Sequence, residues 1–273
     1  MIALLALLGC GPESAPLDLF DPTFVEVWVD EFDGPAGSPV NPDHWNYDVG
    51  GDGWGNNQLE FNTDRTENSF LNGEGALVIR AIKEDYQGNT WTSARLTTLD
   101  KVEFGYGRWE ADIRFPAGEG LWPAFWLLGS NFPEIGWPGC GEVDIIELNG
   151  GRPYEAVTTV HGPDYNGGGG VGEVTLSSEA YTDRVFNYAV EIDPEHIAWY
   201  IDGRLVHKVN PGTLPSGAPW VFTGEHFAIL NLAVGGNFVS PPDDTTPTTA
   251  DVLVERVRFL ERVSPPVIEV TEE

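Results

Sequence analysis

Gly141-Glu142-Val143-Asp144-Ile145-Ile146-Glu147-Leu148-Asn149 sets three carboxylates among β-branched apolar residues, with no basic residue close in sequence. Val143, Ile145 and Ile146 favour a pleated strand. Residues two apart on a strand share a face, so Glu142 and Asp144 point the same way. Glu147 is out of phase with them and reaches their face only if a β-bulge in the 145–146 region absorbs one residue. The spacing therefore predicts a bulged strand with three acids lining one face.

That arrangement is costly. Like charges at close range in a partly dry cleft push at least one pKa upward, and the cost points to chemistry. Two carboxyls about 5–5.5 Å apart serve a retaining glycosidase: one attacks the anomeric carbon, and the other protonates the leaving oxygen and later activates water. Asp144, between them, would hydrogen-bond the nucleophile and tune its charge. From these residues alone, a solvated acidic strand edge and a Ca²⁺ site remain as alternatives.

Working outward, the 33 glycines, 21 prolines and abundant aromatics in 273 residues, with hardly any helix-favouring stretches, describe many short strands joined by turns. An all-β chain of this length forms one domain with a sizeable core. The 43 acidic residues against 14 basic ones give a net charge of −29. Such a chain is unsuited to nucleic acid or anionic membranes, both of which need a positive surface, whereas neutral polymers remain candidate partners. No protein partner is evident, and a monomer is expected.

Two cysteines cannot build a disulfide framework. Cys10 closes the apolar run Met1–Cys10, which is too short to span a bilayer and reads as a signal peptide ending at a candidate lipid-anchor cysteine. The expected outcome is export, either as a secreted protein or as a bacterial outer-membrane or cell-surface lipoprotein. Residues 11–22, proline-rich and acidic, read as a flexible tether. Residues 23–262 form the folded domain, and 263–273 a disordered tail.

Within the domain, Val25–Phe32, Gly75–Ile82, Thr92–Thr98, Gly105–Phe115, Val157–His161, Phe186–Asp193, His196–Val209, Phe227–Val234 and Val252–Phe259 read as strands, with an Asp202-Gly203 hairpin. Pro123 interrupts the pattern at Trp122–Trp126, which predicts a turn there. Trp122, Trp126 and Trp137 are candidate stacking platforms for sugar rings, one of which could instead be packing alone. Gly50–Phe61 crowds glycines, amides and an aromatic together; Trp54 suits a sugar face and Asn57 and Glu60 suit hydroxyls, although turn formation alone would also use Gly and Asn. Gly167–Gly170 reads as a flexible loop without a phosphate-binding signature.

The blocks WPAFWLLG (122–129), GWPGCGEVDIIE (136–147), His161-Gly162-Pro163 and LNLAVGGN (230–237) together resemble glycoside hydrolase family 16, specifically its bacterial laminarinase-like endo-β-1,3-glucanases. The resemblance runs from about Trp28 to Phe259. It implies a concanavalin A-like jelly-roll sandwich of two curved antiparallel sheets, with an open cleft on the concave face, cleaving β-1,3-glucan internally. Mixed-linkage β-1,3-1,4-glucan or a galactan is the alternative substrate, and a non-catalytic glucan-binding module the alternative class. The resemblance makes Glu142 the nucleophile, Asp144 its electrostatic partner and Glu147 the general acid/base, without a catalytic cofactor. It also turns Arg95 and His161 toward the cleft and supports the same location for the Trp54 loop. Finally, it implies a structural Ca²⁺ held by Glu31, the carbonyl of Gly75 and Glu255, the last standing where Asp is usual.

Overall fold

The structure, a computed structural model, describes residues 23–263. The signal run with Cys10, the tether, and the tail beyond Val263 lie outside the described residues. Eighteen strands follow one another in chain order: β1 (Phe24–Asp30), β2 (Asn46–Tyr47), β3 (Glu60–Asn62), β4 (Ser69–Leu71), β5 (Leu77–Ile82), β6 (Trp91–Ser93), β7 (Arg95–Thr97), β8 (Glu103–Phe104), β9 (Gly107–Arg114), β10 (Leu121–Gly129), β11 (Glu142–Leu148), β12 (Glu155–His161), β13 (Val171–Leu176), β14 (Phe186–Ile192), β15 (Ile197–Ile201), β16 (Arg204–Val209), β17 (His226–Val234) and β18 (Thr249–Arg262). A single helical turn, α1 (Phe132–Ile135), precedes the acidic strand.

They form two sheets. The first runs β16-β15-β14-β9-β18-β5-β6-β3, with β1 beside β18 and β4 beside β5; the second runs β13-β12-β11-β10-β17-β7-β2, with β8 beside β17. The described pairings are antiparallel except for β3 with β6, where a short parallel pair departs from the expected antiparallel pattern. Two sheets face to face make a sandwich, and the interior holds the largest apolar side chains, Trp45, Trp91, Trp109 and Trp199 among them.

Strand β17 explains how the second sheet is covered on both faces. Ala228, Leu230, Leu232 and Val234 enter the interior core, while Phe227, Ile229 and Ala233 join two smaller apolar clusters on the outer face. These outer clusters contain Trp126 and Trp122, and they flank the acids of β11. The second sheet therefore buries polar groups on its outer face instead of leaving them in water.

Three sequence expectations need adjustment. Trp122-Pro123 is no turn: β10 runs straight through it. Pro123 pairs with Leu232 of β17, but the ladder to β11 starts one residue later, at Ala124 with Glu147, so a residue lacking an N–H is accommodated. The run Thr92–Thr98 is two strands, because the chain crosses from the first sheet (β6) to the second (β7) at the fully buried Ala94. Beyond the glycine loop, Val171–Leu176 forms an edge strand that the reading of 167–170 as a loop leaves out. The Asp202-Gly203 hairpin is formed as expected, both residues having positive φ (48° and 73°), the signature of the tight turn that matches strand twist.

Ile146 is fully buried in the interior core, so truncation leaves a cavity. Ile146→Ala should lower the unfolding free energy by about 2–5 kcal/mol in a urea titration. A change below about 1 kcal/mol would mean that this strand does not carry the core as described.

Candidate active site

The bulge anticipated from the spacing is present. Against β12, Asp144 pairs with Thr159 and Glu147 with Val157, so Ile145 and Ile146 together face the single residue Thr158. Against β10, Asp144 pairs with Trp126 and Ile146 with Phe125, again stepping over Ile145. Val143, Ile145, Ile146 and Leu148 all enter the interior core. Glu142, Asp144 and Glu147 are thereby brought together on the outer face.

Each acid has a defined setting. Trp122 donates its indole N–H to Oε1 of Glu147 at 2.9 Å. His161, directly opposite Glu142 across the β11–β12 ladder, places Nε2 3.7 Å from Glu142 Oε1 and 3.2 Å from Asp144 Oδ2. A Cβ at 170 would stand 2.4 Å from Cε1 of His161, so any larger residue there would have to displace the ring. One polar side-chain atom from each of Glu142, Asp144 and His161 lies within 4.8 Å of the others, so ionisable groups crowd this corner.

Burial raises all three carboxyls. Desolvation, then the neighbouring Asp144, lift Glu142 well above the usual carboxylate range, against opposing contributions from His161 and a hydrogen bond from Trp137. Desolvation takes Asp144 to about 7. Glu147 is pushed up to about 8 by desolvation and then by Asp144, with the Trp122 hydrogen bond pulling the other way. In such a group ionisation of one carboxyl opposes that of the next, so the site holds protons at neutral pH.

The remaining candidates divide. Arg95 forms an ion pair with Asp48 (Nε to Oδ2, 2.9 Å), and its guanidinium lies over the rings of Trp54 at 4.9 Å and Trp126 at 4.7 Å. Arg95 is thus held by a carboxylate on one side and by two indole faces. Trp126 is half-buried and donates to Asn231 Oδ1 at 2.8 Å. Trp137 is 45 % exposed, with its ring 6.4 Å from that of His161, and is available as a platform. Trp122, 9 % exposed and packed against Phe238, is not an open platform; it orients Glu147.

In the loop before β3, Trp54 and Asn57 take left-handed backbone conformations (φ 50° and 57°), and exposed Asn57 bonds to Asn237 at 2.8 Å. Glu60 departs from the expectation of a sugar contact. It is 0 % exposed, its Oε2 accepts from the Val234 N–H at 2.8 Å, and desolvation raises its pKa to about 8. It holds backbone beneath the loop and has no surface to offer a hydroxyl.

The positions read as calcium ligands border a break in the first sheet. β1 ends with Asp30 opposite Val257, and β5 begins with Leu77 opposite Val254. The gap between them lies beside Glu255, which a register shift bulges out of β18 and leaves exposed. Glu31 and Gly75 flank the same gap, and Asp33 Oδ1 lies 3.8 Å from where a Cβ on Gly75 would stand. Carboxylates and a backbone carbonyl are hard oxygen donors suited to Ca²⁺.

Sequence reasoning passed over Asp48 and Asn231, which fix Arg95 and Trp126 from the side. Asn231 had a usable signal, as the only amide in the otherwise apolar run Phe227–Val234.

A sandwich with paired carboxyls set among indoles on its outer face is the architecture of a glycoside hydrolase. Residues 52–225 match the model of glycosyl hydrolases family 16, and the chain belongs to that family. It is similar to a beta-glucanase of Rhodothermus marinus, 37 % identical over 246 residues that cover 85 % of this chain and 83 % of that protein. A glucan endo-1,3-beta-glucosidase of Cryptopygus antarcticus is 36 % identical over 230 residues, 77 % of this chain and 80 % of the other. Among solved structures, the endo-beta-1,3-glucanase of Pyrococcus furiosus superposes with a TM-score of 0.83 at 40 % identity, covering 89 % of this chain and 96 % of that one.

Glu147 keeps its proton to about pH 8 in the fold but only to about 4.5 in an ordinary setting. Its burial therefore costs stability increasingly as pH rises through that window, and nothing below it. Glu147→Gln removes the cost while leaving an oxygen for Trp122. The variant should melt above the wild type at pH 8 and together with it at pH 4 by calorimetry; the same difference at both pH values would contradict a raised pKa.

Proposed function

We propose that the chain is an endo-acting, retaining hydrolase of β-1,3-glucan of the laminarin type. The observation that carries the mechanism is the bulge, which sets Glu142, Asp144 and Glu147 on one face with Glu147 protonated at neutral pH. Names of the two relatives and of the superposed structure support the substrate class.

On this reading Glu142 attacks the anomeric carbon as the carboxylate, the proton it would otherwise hold resting on its hydrogen-bonded neighbour Asp144, and the leaving oxygen takes its proton from Glu147. Asp144 shares charge with Glu142, and His161 and Arg95 offset the negative potential of the cluster. In the second half, Glu147, now ionised, draws a proton from water as it attacks the glycosyl-enzyme ester, releasing the sugar with its β configuration. Trp137 and Trp126 offer ring faces to glucose units, and Trp54 and Asn57 border the same surface. Acid–base chemistry by the chain's own carboxyls needs no cofactor.

We further assign Glu31, the carbonyl of Gly75 and Glu255 to a structural Ca²⁺ remote from the acids. Export through the Met1–Cys10 segment, with Cys10 as candidate lipid anchor, places the enzyme where polysaccharide is found, and it acts as a monomer.

The decisive assay is a proton NMR time course on laminarin, with mixed-linkage glucan and agarose alongside. β-Anomeric product should appear first, on laminarin, and Glu142→Ala should reduce turnover by at least about a thousandfold while the fold persists. Initial α-anomer would overturn the two-step mechanism. Cleavage of only another polymer would change the substrate, and binding without cleavage would favour a glucan-binding module. Separately, chelation with EDTA should lower the Tm, and added Ca²⁺ should restore it; a Tm indifferent to both would remove the calcium assignment.

A further inference from the structure

A bulge breaks the ladder between β11 and β12, and the backbone groups at the break need other partners. The carbonyl of Asp144 finds one across the sandwich. It accepts a hydrogen bond, 2.8 Å long, from the indole Nε1 of Trp199. Trp199 belongs to β15 of the opposite sheet and is 0 % exposed, so no water could substitute for it. A buried carbonyl left unpaired would keep its full desolvation penalty.

The other strand of the bulge is tied to the same place. Thr158, the single residue facing Ile145 and Ile146, bonds through Oγ1 to Nδ1 of His207 at 2.9 Å. His207 is the cross-strand partner of Trp199 on β16. The two rings stack, with centroids 4.5 Å apart and planes 19° from parallel. One hairpin, β15–β16, therefore grips both sides of the irregularity that sets the phase between Asp144 and Glu147. Neither residue touches the outer face where the sugar would lie.

We propose that Trp199, buttressed by His207, is a positioning residue: its N–H holds the bulge in the register that aims Glu147 at the leaving oxygen. The inference rests on Glu147 as general acid. Loss of the N–H should thus damage acid catalysis in particular, leaving binding and nucleophilic attack comparatively intact.

The test uses two replacements in the full chain: Trp199→Phe, and β-(3-benzothienyl)alanine at 199, which preserves the indole's shape but puts sulfur in place of N–H. With laminarin, kcat should fall about tenfold or more, a fraction of the hundred- to ten-thousandfold that positioned general acids typically supply. KM should stay within about twofold. With a dinitrophenyl glycoside of a 1,3-linked glucose oligomer, whose leaving group needs no proton, kcat/KM should fall less than about threefold. Hydrogen exchange at the amides of 145–147 reads the bulge without any substrate, and it should accelerate in both variants while β17 stays protected. Equal losses on both glycosides, or unchanged exchange, would overturn the proposal. Should the wild type cleave another polymer, the functional reading changes; the exchange arm and an activated glycoside of that polymer's sugar then decide the positioning role.

Discussion

Strand periodicity conflicts with the spacing of the acids, and the structure is built around resolving that conflict. Two-residue alternation would send Glu142 and Asp144 to one face and Glu147 into the core. Burying an isolated carboxyl among Phe125, Leu148 and Val160 would be prohibitive. Doubling Ile145 and Ile146 against Thr158 sends both isoleucines inward and returns Glu147 to its companions. The bulge thus satisfies the apolar core and assembles the acids in one step.

Assembly creates an electrostatic problem that the aromatic outer face both worsens and manages. Apolar clusters around Trp122 and Trp126 exclude water, which raises the carboxyl pKa values. The same side chains supply directed N–H groups: Trp122 to Glu147, and Trp126 to Asn231, which keeps that indole fixed beneath Arg95. In a chain with net charge −29, Arg95 is a cation that pairs with Asp48 and also offsets the negative field of Glu142 and Glu60.

Much of this was legible in the chain itself, because strand alternation and carboxylate spacing are local properties. The all-β class, the strand beneath 142–148, its bulge and the 202–203 hairpin all follow from neighbours in sequence. What escaped depends on distant partners. Pro123 forbids a strand only where a neighbouring strand needs its N–H, and the ladder to β11 begins a residue later. Glu60 looked like a sugar ligand because its loop is polar, whereas its fate was decided by the Val234 N–H, far away in the chain. Trp122 read as a platform until Phe238 and Val239 closed over its ring. No local pattern distinguishes these outcomes.

The crossing at Ala94 carries a mechanical consequence. Within a few residues the chain pairs in one sheet as β6 and in the other as β7, with Ala94 threaded between them at 0 % exposure. Separating the two layers would require this segment to abandon one set of ladder bonds, and Arg95, its next residue, would be drawn away from the cleft. The crossing therefore ties the position of Arg95 to the packing of one layer on the other.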